Sequence, residues 1–212
     1  MQVAARDPIV YIIDDDGAVR RSLERLVRSV DLEARTFASA SEFLAQARAD
    51  RPCCLVVDVR MPGLSGLELQ EALTSAGRSA PIIFITGHGT VPMSVRAMRA
   101  GAVHFLQKPF EDQEILDSIH EAVERESSAW QERERRAEIE HQLQALTPRE
   151  REVFDLVVAG LPNKRIASRL GTSEKTIKVH RARVMEKMCA DSLAALVRIA
   201  QEASPVLAET ES

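Results

Sequence analysis

The chain has 212 residues, 45% of them hydrophobic and 28% charged, with a formal net charge of -4. That is enough chain to bury one large core or two small ones, in the composition of ordinary globular proteins rather than of disordered or fibrous ones. No apolar run approaches the roughly 20 residues that cross a bilayer, and the opening "MQVAARDPIV" lacks the basic-then-apolar plan of a secretory signal.

Charge is unevenly spread. Residues 1–124 carry 13 Lys+Arg against 18 Asp+Glu, a balance of -5, whereas residues 147–201 carry 11 against 6, a balance of +5. Between them, residues 125–146 hold 4 against 5, and residues 202–212 add three acids. An acidic front and a basic back imply two modules with different partners, the second suited to nucleic acid. The three cysteines, Cys53, Cys54 and Cys189, are odd in number and are expected to be reduced, buried thiols of a cytosolic protein. The five histidines show no metal-ligand spacing.

The front half alternates. "IVYIID" (9–14) is an apolar run, and "AVRRSLERLVRSV" then places apolar residues at 19, 23, 26, 27 and 30, the helical period. "EARTFA" (33–38) fits a short second strand, and Ser41 is the cap expected for the helix after it. "CCLVVD", "PIIFIT" and "AVHFLQKP" are three more strand-like runs. Helical "GLELQEALTSA" and "PMSVRAMRAG" lie between them, the latter opening on a first-turn Pro and closing on Gly101. Strand and helix alternating about five times predict a doubly wound, five-stranded, mostly parallel α/β sheet with helices on both faces.

From Glu111 to Leu146 the pattern is helical. Ile115, Leu116, Ile119 and Val123 give its first part a sheet-facing stripe, while residues 125–146 are dominated by charge and predict an exposed helical linker. Ala129, Trp130, Ala137, Ile139 and Leu143 form at most a short coiled-coil seam. The back half is all helical. Thr147 caps and Pro148 opens one helix, "NKRIASRLG" forms a second, and "TSEKTIKVHRARVMEKM" forms a third with caps at Thr172 or Ser173. "DSLAALVRIAQEA" closes the module. Two short helices around a Gly turn, the second crowded with Lys and Arg, predict a helix-turn-helix.

In a doubly wound sheet the carboxyl ends of the strands gather in one crevice. The first, third, fourth and fifth strands end in Asp14-Asp15, Asp58, Thr86 and Lys108. Singly, each has a plainer explanation as a cap, a turn residue or a surface charge. Together they put three acids, a hydroxyl and an ammonium on one side of the sheet. Three carboxylates repel unless a cation sits among them, and an all-oxygen, incomplete shell favours Mg²⁺ (or Mn²⁺), which also accepts phosphate oxygens. Asp58, at a strand end before "VRMPGLSG", is the expected nucleophile toward a phosphoryl group that Lys108 helps to neutralise.

These residues closely resemble the receiver domain of two-component response regulators. "DDD", "DVRMPGLSG", "TGHG" and "KPF" carry the resemblance. It implies a flavodoxin-like receiver over residues 1–124, with Asp58 accepting phosphate from a sensor histidine kinase. It further implies Mg²⁺ ligation by Asp15, Asp58 and the backbone carbonyl of Arg60, with Asp14 helping through water. Lys108 would pair with the phosphoryl oxygen, Thr86 and Phe105 would form a switch pair, and a cis peptide bond would precede Pro109. Asp16 has no role in that pattern and is expected to cap a helix.

Residues 147–201 resemble the LuxR/FixJ-type helix-turn-helix, with residues 125–146 as linker and 202–212 as a flexible tail. On the predicted recognition helix, Lys175, Lys178, Val179 and Ala182 share a face at spacings of three and four. Lys178 suits guanine, while Val179 and Ala182 suit a thymine methyl. Thr176 belongs to the matching motif, and Lys164, Lys175, His180, Arg181, Arg183 and Lys187 are expected to meet phosphates. The resemblance implies a phosphorylation-activated transcription regulator, an activator rather than a repressor, that is cytoplasmic and works with RNA polymerase. Its dimer would form through the fourth helix and fifth strand, where Val95, Met98, Arg99 and His104 are the candidates, with Leu193, Leu196 and Val197 as a second contact or as core. On this reading it is no turnover enzyme.

One enzyme reading competes. "DDDGAV" contains the Asp-x-Asp-Gly of haloacid dehalogenase-like phosphatases, which would make Asp14 the nucleophile and Asp16 the acid. Such enzymes need a further acidic pair after a later strand, where this chain has "TGHG" and "KPF".

Overall fold

The computed structural model describes residues 7–47, 50–78 and 80–210, with side chains as far as Ala203. The chain divides into two units, Met1–Gln131 and Glu132–Ser212.

The first unit is built on five parallel strands in the order β2-β1-β3-β4-β5: β1 (Ile9–Ile13), β2 (Glu33–Phe37), β3 (Cys53–Asp58), β4 (Ile82–Thr86) and β5 (His104–Gln107). Helices α1 (Gly17–Arg28), α2 (Ala40–Gln46), α3 (Gly66–Ser75) and α4 (Val91–Arg99) make the crossovers, and α5 (Asp112–Gln144) follows β5. Because β1, β3 and β4 are buried along their whole length, they are apolar throughout rather than alternating. Alternate residues of these strands feed two separate cores: Tyr11, Leu55, Val57 and Phe84 on one face, and Val10, Ile12, Val56 and Ile83 with Ile115 and Ile119 of α5 on the other.

Helix starts follow capping chemistry. Asp16 accepts the Ala18 N–H at the head of α1, as expected. The cap of α2 is Ser39, not Ser41: Ser39 Oγ accepts from the Glu42 N–H at 3.1 Å, and Glu42 answers by accepting from Ala38 N–H. α3 has a full capping box of Ser65 and Glu68. α4 has Thr90 at its start with no side-chain cap, while its other end is held from α3, where buried Gln70 donates to the carbonyls of Ala97 and Ala100.

The second unit holds the end of α5, then α6 (Pro148–Val158), α7 (Asn163–Arg169), α8 (Glu174–Lys187) and α9 (Leu193–Thr210). Ile166, Ile177, Val184 and Met188 are its core, joined by Phe154 of α6 and Leu196 of α9. Three expectations change here. Residues 125–146 are not uniformly exposed, for Ile139, Leu143 and Leu146 are buried in this core. Their stripe serves as one wall of the domain. Residues 202–212 are not a loose tail as far as they are described: α9 runs to Thr210, Ala203 is buried, and Glu202 pairs with Arg135 at 2.9 Å. Residues 211–212, like residues 1–6, lie outside the described ones. Cys189 is exposed, one residue past the end cap of α8 and in the left-handed region at φ 48°, while Cys53 and Cys54 are buried strand residues.

Candidate functional site

Parallel register brings the predicted residues together. Ile13 pairs with Val57 and Asp58 with Ile85, so Asp14 and Asp58 leave adjacent strands at the same level. Thr86 ends β4, and Lys108 follows β5 at once. The ammonium of Lys108 lies between the two acids. Its Nζ donates to Asp14 Oδ2 at 2.6 Å and to Asp58 Oδ1 at 2.9 Å. Each acid also accepts a backbone N–H on its other oxygen, Asp14 from Asp16 at 2.8 Å and Asp58 from Arg60 at 2.7 Å. The Lys108–Pro109 bond is cis, as expected.

Both acids are buried and Asp15 beside them is exposed. Burial pushes the Asp14 carboxyl above its ordinary pKa, and the nearby Asp58 adds to that, against the opposing bonds from Lys108 and Asp16. Burial also works against the Lys108 ammonium, but its bonds to Asp14 and Asp58 outweigh it and the pKa rises. One ammonium therefore serves two buried carboxylates. Among the described residues no group of three or more His, Cys, Asp or Glu stands ready-made around a metal position. The chemistry of the donor set, carboxylate oxygens with exposed Asp15 alongside, is nonetheless what a hard divalent cation takes.

Thr86 is buried, and its Oγ1 accepts the His88 N–H at 3.3 Å. Phe105 is half-buried, its ring 6.3 Å from that of Phe84. Two glycines, present in the motifs "TGHG" and "DVRMPGLSG" but with their role missed in the sequence, shape this end of the sheet. A Cβ on Gly89 would lie 3.0 Å from the Phe105 ring and 3.2 Å from Thr86 Cγ2, so a side chain here would crowd both. A Cβ on Gly66 would stand 2.4 Å from the Asp58 carbonyl oxygen, so only glycine lets α3 start against the strand end. Arg20, also missed, donates to the Asp14 carbonyl at 2.5 Å. Gly66 closes the motif "DVRMPGLSG", but the motif alone does not reveal the close approach to the Asp58 carbonyl. Arg20 lies three positions beyond Gly17, the start of α1, and that spacing alone does not reveal its partner.

In the second unit, Ser173 caps α8, accepting the Thr176 N–H at 3.1 Å. Lys175, Thr176, Lys178, Val179, Ala182 and Arg183 are exposed, as is Lys164 on α7. Val179 is 48% exposed, a large apolar side chain beside Lys175, Lys178 and Ala182 on one face. His180 and Arg181 are half-buried, and Arg181 donates to Asn163 Oδ1 at 3.2 Å. Lys187, expected to meet phosphates, is half-buried and has partners within the unit. Its Nζ donates to Glu150 Oε2 at 2.6 Å and to the Ala145 carbonyl at 2.9 Å.

Two family models match the chain. Residues 10–120 match the response regulator receiver domain, and residues 144–200 match bacterial regulatory proteins of the luxR family. The chain is a response regulator. This regulator is 48% identical to Nodulation protein W of Bradyrhizobium diazoefficiens, over 93% of its own length and 87% of that protein's. It is 47% identical to the transcriptional regulatory protein FixJ of Rhizobium meliloti, over 92% and 95% of the two chains. The structure of response regulator StyR superposes with a TM-score of 0.87 at 47% identity, covering 93% of the regulator and all of that chain. The FixJ-N crystal structure aligns with a TM-score of 0.53 at 45% identity, over 56% of the regulator and 95% of that chain. The phosphatase alternative falls away. The first half of the regulator is a receiver, Asp16 is a helix cap, and Asp14 is buried under Lys108.

Proposed function

We propose that Asp58 accepts a phosphoryl group from a sensor histidine kinase, and that the change releases sequence-specific DNA binding through α8. The observation that carries this is the Lys108 ammonium, 2.9 Å from Asp58 Oδ1 at the strand-end crevice. An Asp58 oxygen attacks phosphorus as the phosphorus–nitrogen bond to the donor histidine breaks, and the imidazole leaves with the bonding pair. Lys108 is placed to neutralise the incoming oxygens, and Asp14 holds that ammonium in reach. Asp14, Asp15, Asp58 and the Arg60 carbonyl are the groups that would hold Mg²⁺ or Mn²⁺, which when bound shields the phosphoryl charge from the acids.

Phosphorylation adds about -2 charge and strong acceptor oxygens. Thr86 then turns its hydroxyl toward the phosphoryl group, and Phe105 follows into the space it leaves. The exposed Val95 and Met98 of α4, with Arg99 and His104, supply the dimer face. Two recognition helices then meet half-sites one DNA turn apart. Lys178, Val179 and Ala182 read bases, while Lys164, Lys175, His180, Arg181 and Arg183 position the helix on phosphates. Transcription activation in the cytoplasm, through RNA polymerase, is the output this reading supports. It needs no enzymatic turnover.

The test is peptide mapping of the acylphosphate after incubation with a small phosphodonor and Mg²⁺. Modification of Asp58, lost in Asp58→Asn with the fold retained, is expected. Modification of Asp14 instead, or wild-type incorporation in Asp58→Asn, overturns the assignment.

A further inference from the structure

The cations of α8 do not all face the same way. Lys175, Lys178, Val179 and Ala182 recur at helical spacing along one exposed stripe. Lys187 lies five residues beyond Ala182, which at about 100° per residue turns it well off that stripe. Its ammonium is engaged elsewhere. One bond goes to the carbonyl of Ala145, the residue after α5 ends, and one to the carboxylate of Glu150 in the first turn of α6. Glu150 is only 2% exposed and belongs to the capping box of α6, its Oε2 accepting the Thr147 N–H at 2.9 Å. Three pieces of chain therefore meet at one ion pair: the exit of α5, the entry of α6 and the last turn of α8.

We infer that Lys187 and Glu150 form a latch that sets the pitch of the recognition helix, so that Lys187 governs DNA selectivity by position and not by contact. This rests on the DNA-binding reading of α8. The physical reason is an asymmetry of tolerance. Base-edge hydrogen bonds need the helix axis placed to a fraction of an ångström, whereas long lysine and arginine side chains follow a phosphate through larger tilts. A helix released at its last turn therefore loses base readout before it loses backbone attraction. The bonds from Lys187 and the Thr147 N–H hold the Glu150 carboxyl down at about 2, so this acid keeps its charge at neutral pH.

The test uses the full chain, treated with phosphodonor, and two duplexes: one selected by the wild-type protein from a randomised pool, and its scrambled counterpart. For Lys187→Ala the ratio of the two affinities should fall roughly ten-fold, the size of one lost base-pair match. The slope of log affinity against log salt should stay as in wild type. Lys187→Arg, which keeps a donor for both partners, should restore the ratio. Glu150→Gln should lower it too, and the double variant should be no worse than either single one. A phosphate contact gives the opposite pattern: both affinities fall alike in Lys187→Ala, the slope drops by about 0.9, and Glu150→Gln strengthens binding by freeing the ammonium. That result, or equal losses on both duplexes with an unchanged slope (mere loss of folded protein), overturns the latch alone. A wild-type chain that enriches no sequence from the pool removes the DNA-binding reading and the latch with it.

Discussion

Each unit of this regulator sets a half-buried lysine against buried carboxylate, and the two pairs behave in opposite ways. In the receiver, one ammonium serves Asp14 and Asp58, and burial leaves the Asp14 carboxyl above its usual pKa. In the DNA-binding unit, one ammonium serves Glu150 alone, and its bond, with a capping N–H, takes that carboxyl down to about 2. The first site is short of positive charge and stays receptive to a cation or a phosphoryl group's counter-charges. The second is balanced, one ammonium to one carboxylate. On the functions proposed above, charge imbalance separates a site that does chemistry from one that holds a shape.

The largest effect is expected from Lys108→Ala. Acylphosphate formation from a labelled phosphodonor should slow by about 100-fold or more, the size seen when one preorganised donor to a developing charge is removed. A near-wild-type rate would mean that the ammonium is as structural as Lys187. Removing one acid from each site then sharpens the contrast. Glu150→Gln should cost the DNA-binding unit roughly 1–2 kcal/mol, since charge-assisted bonds in a balanced pair are unmade. Asp58→Asn relieves a like-charge contact and should raise receiver stability, by on the order of 1 kcal/mol. Hydrogen exchange on the full chain resolves both, at α6–α8 and at β1–β3. Destabilisation of both units alike would erase the distinction.

Acid provides a smaller, graded effect. Glu150 has its folded pKa lowered from 4.5 to about 2, so the unfolded chain binds the proton more readily. The stability this group contributes is therefore fully present above pH ~4.5 and is lost as pH falls from there toward 2. Exchange protection of α6 and α8 should decline across that window in wild type, and Glu150→Gln should flatten the decline. An unchanged decline in the variant would place the acid sensitivity on other carboxylates.

Much of this was legible in the sequence because parallel sheets impose a rule. Once five strands are recognised, their carboxyl ends must converge, and Asp14, Asp58, Thr86 and Lys108 come together with no further information. What stayed hidden depends on which of several neighbours a side chain meets. Lys187 reads as one more cation on a basic helix, and only the packed unit shows Glu150 beside it. Ile139 and Leu143 are two apolar positions in a charged stretch, a stripe too sparse to announce a core. The cap of α2 shifted from Ser41 to Ser39 because both residues suit the position and only Ser39 has Glu42 three residues ahead. Cys189 was expected inside because cysteine usually is, but the residue just past the end of α8 turns outward.

The smallest expected effect tests whether the open site is also mechanically poised. Gly89 lies close to both Thr86 and Phe105 in the loop that leads into uncapped α4, whose far end Gln70 holds. A methyl at 3.0 Å from the ring edge displaces a movable side chain rather than backbone, so Gly89→Ala should cost about 1 kcal/mol, the low end for overpacking. Its consequence lies in the switch. Crowding the ring out of its present seat disfavours the unphosphorylated arrangement, so the dimer fraction without phosphodonor should rise by a few-fold, as read by sedimentation. The Phe105 ring resonances should shift with it. Ring movement with no change in dimer fraction would show that Phe105 does not report to α4, and that the receptive charge site is coupled to the dimer face by some other route.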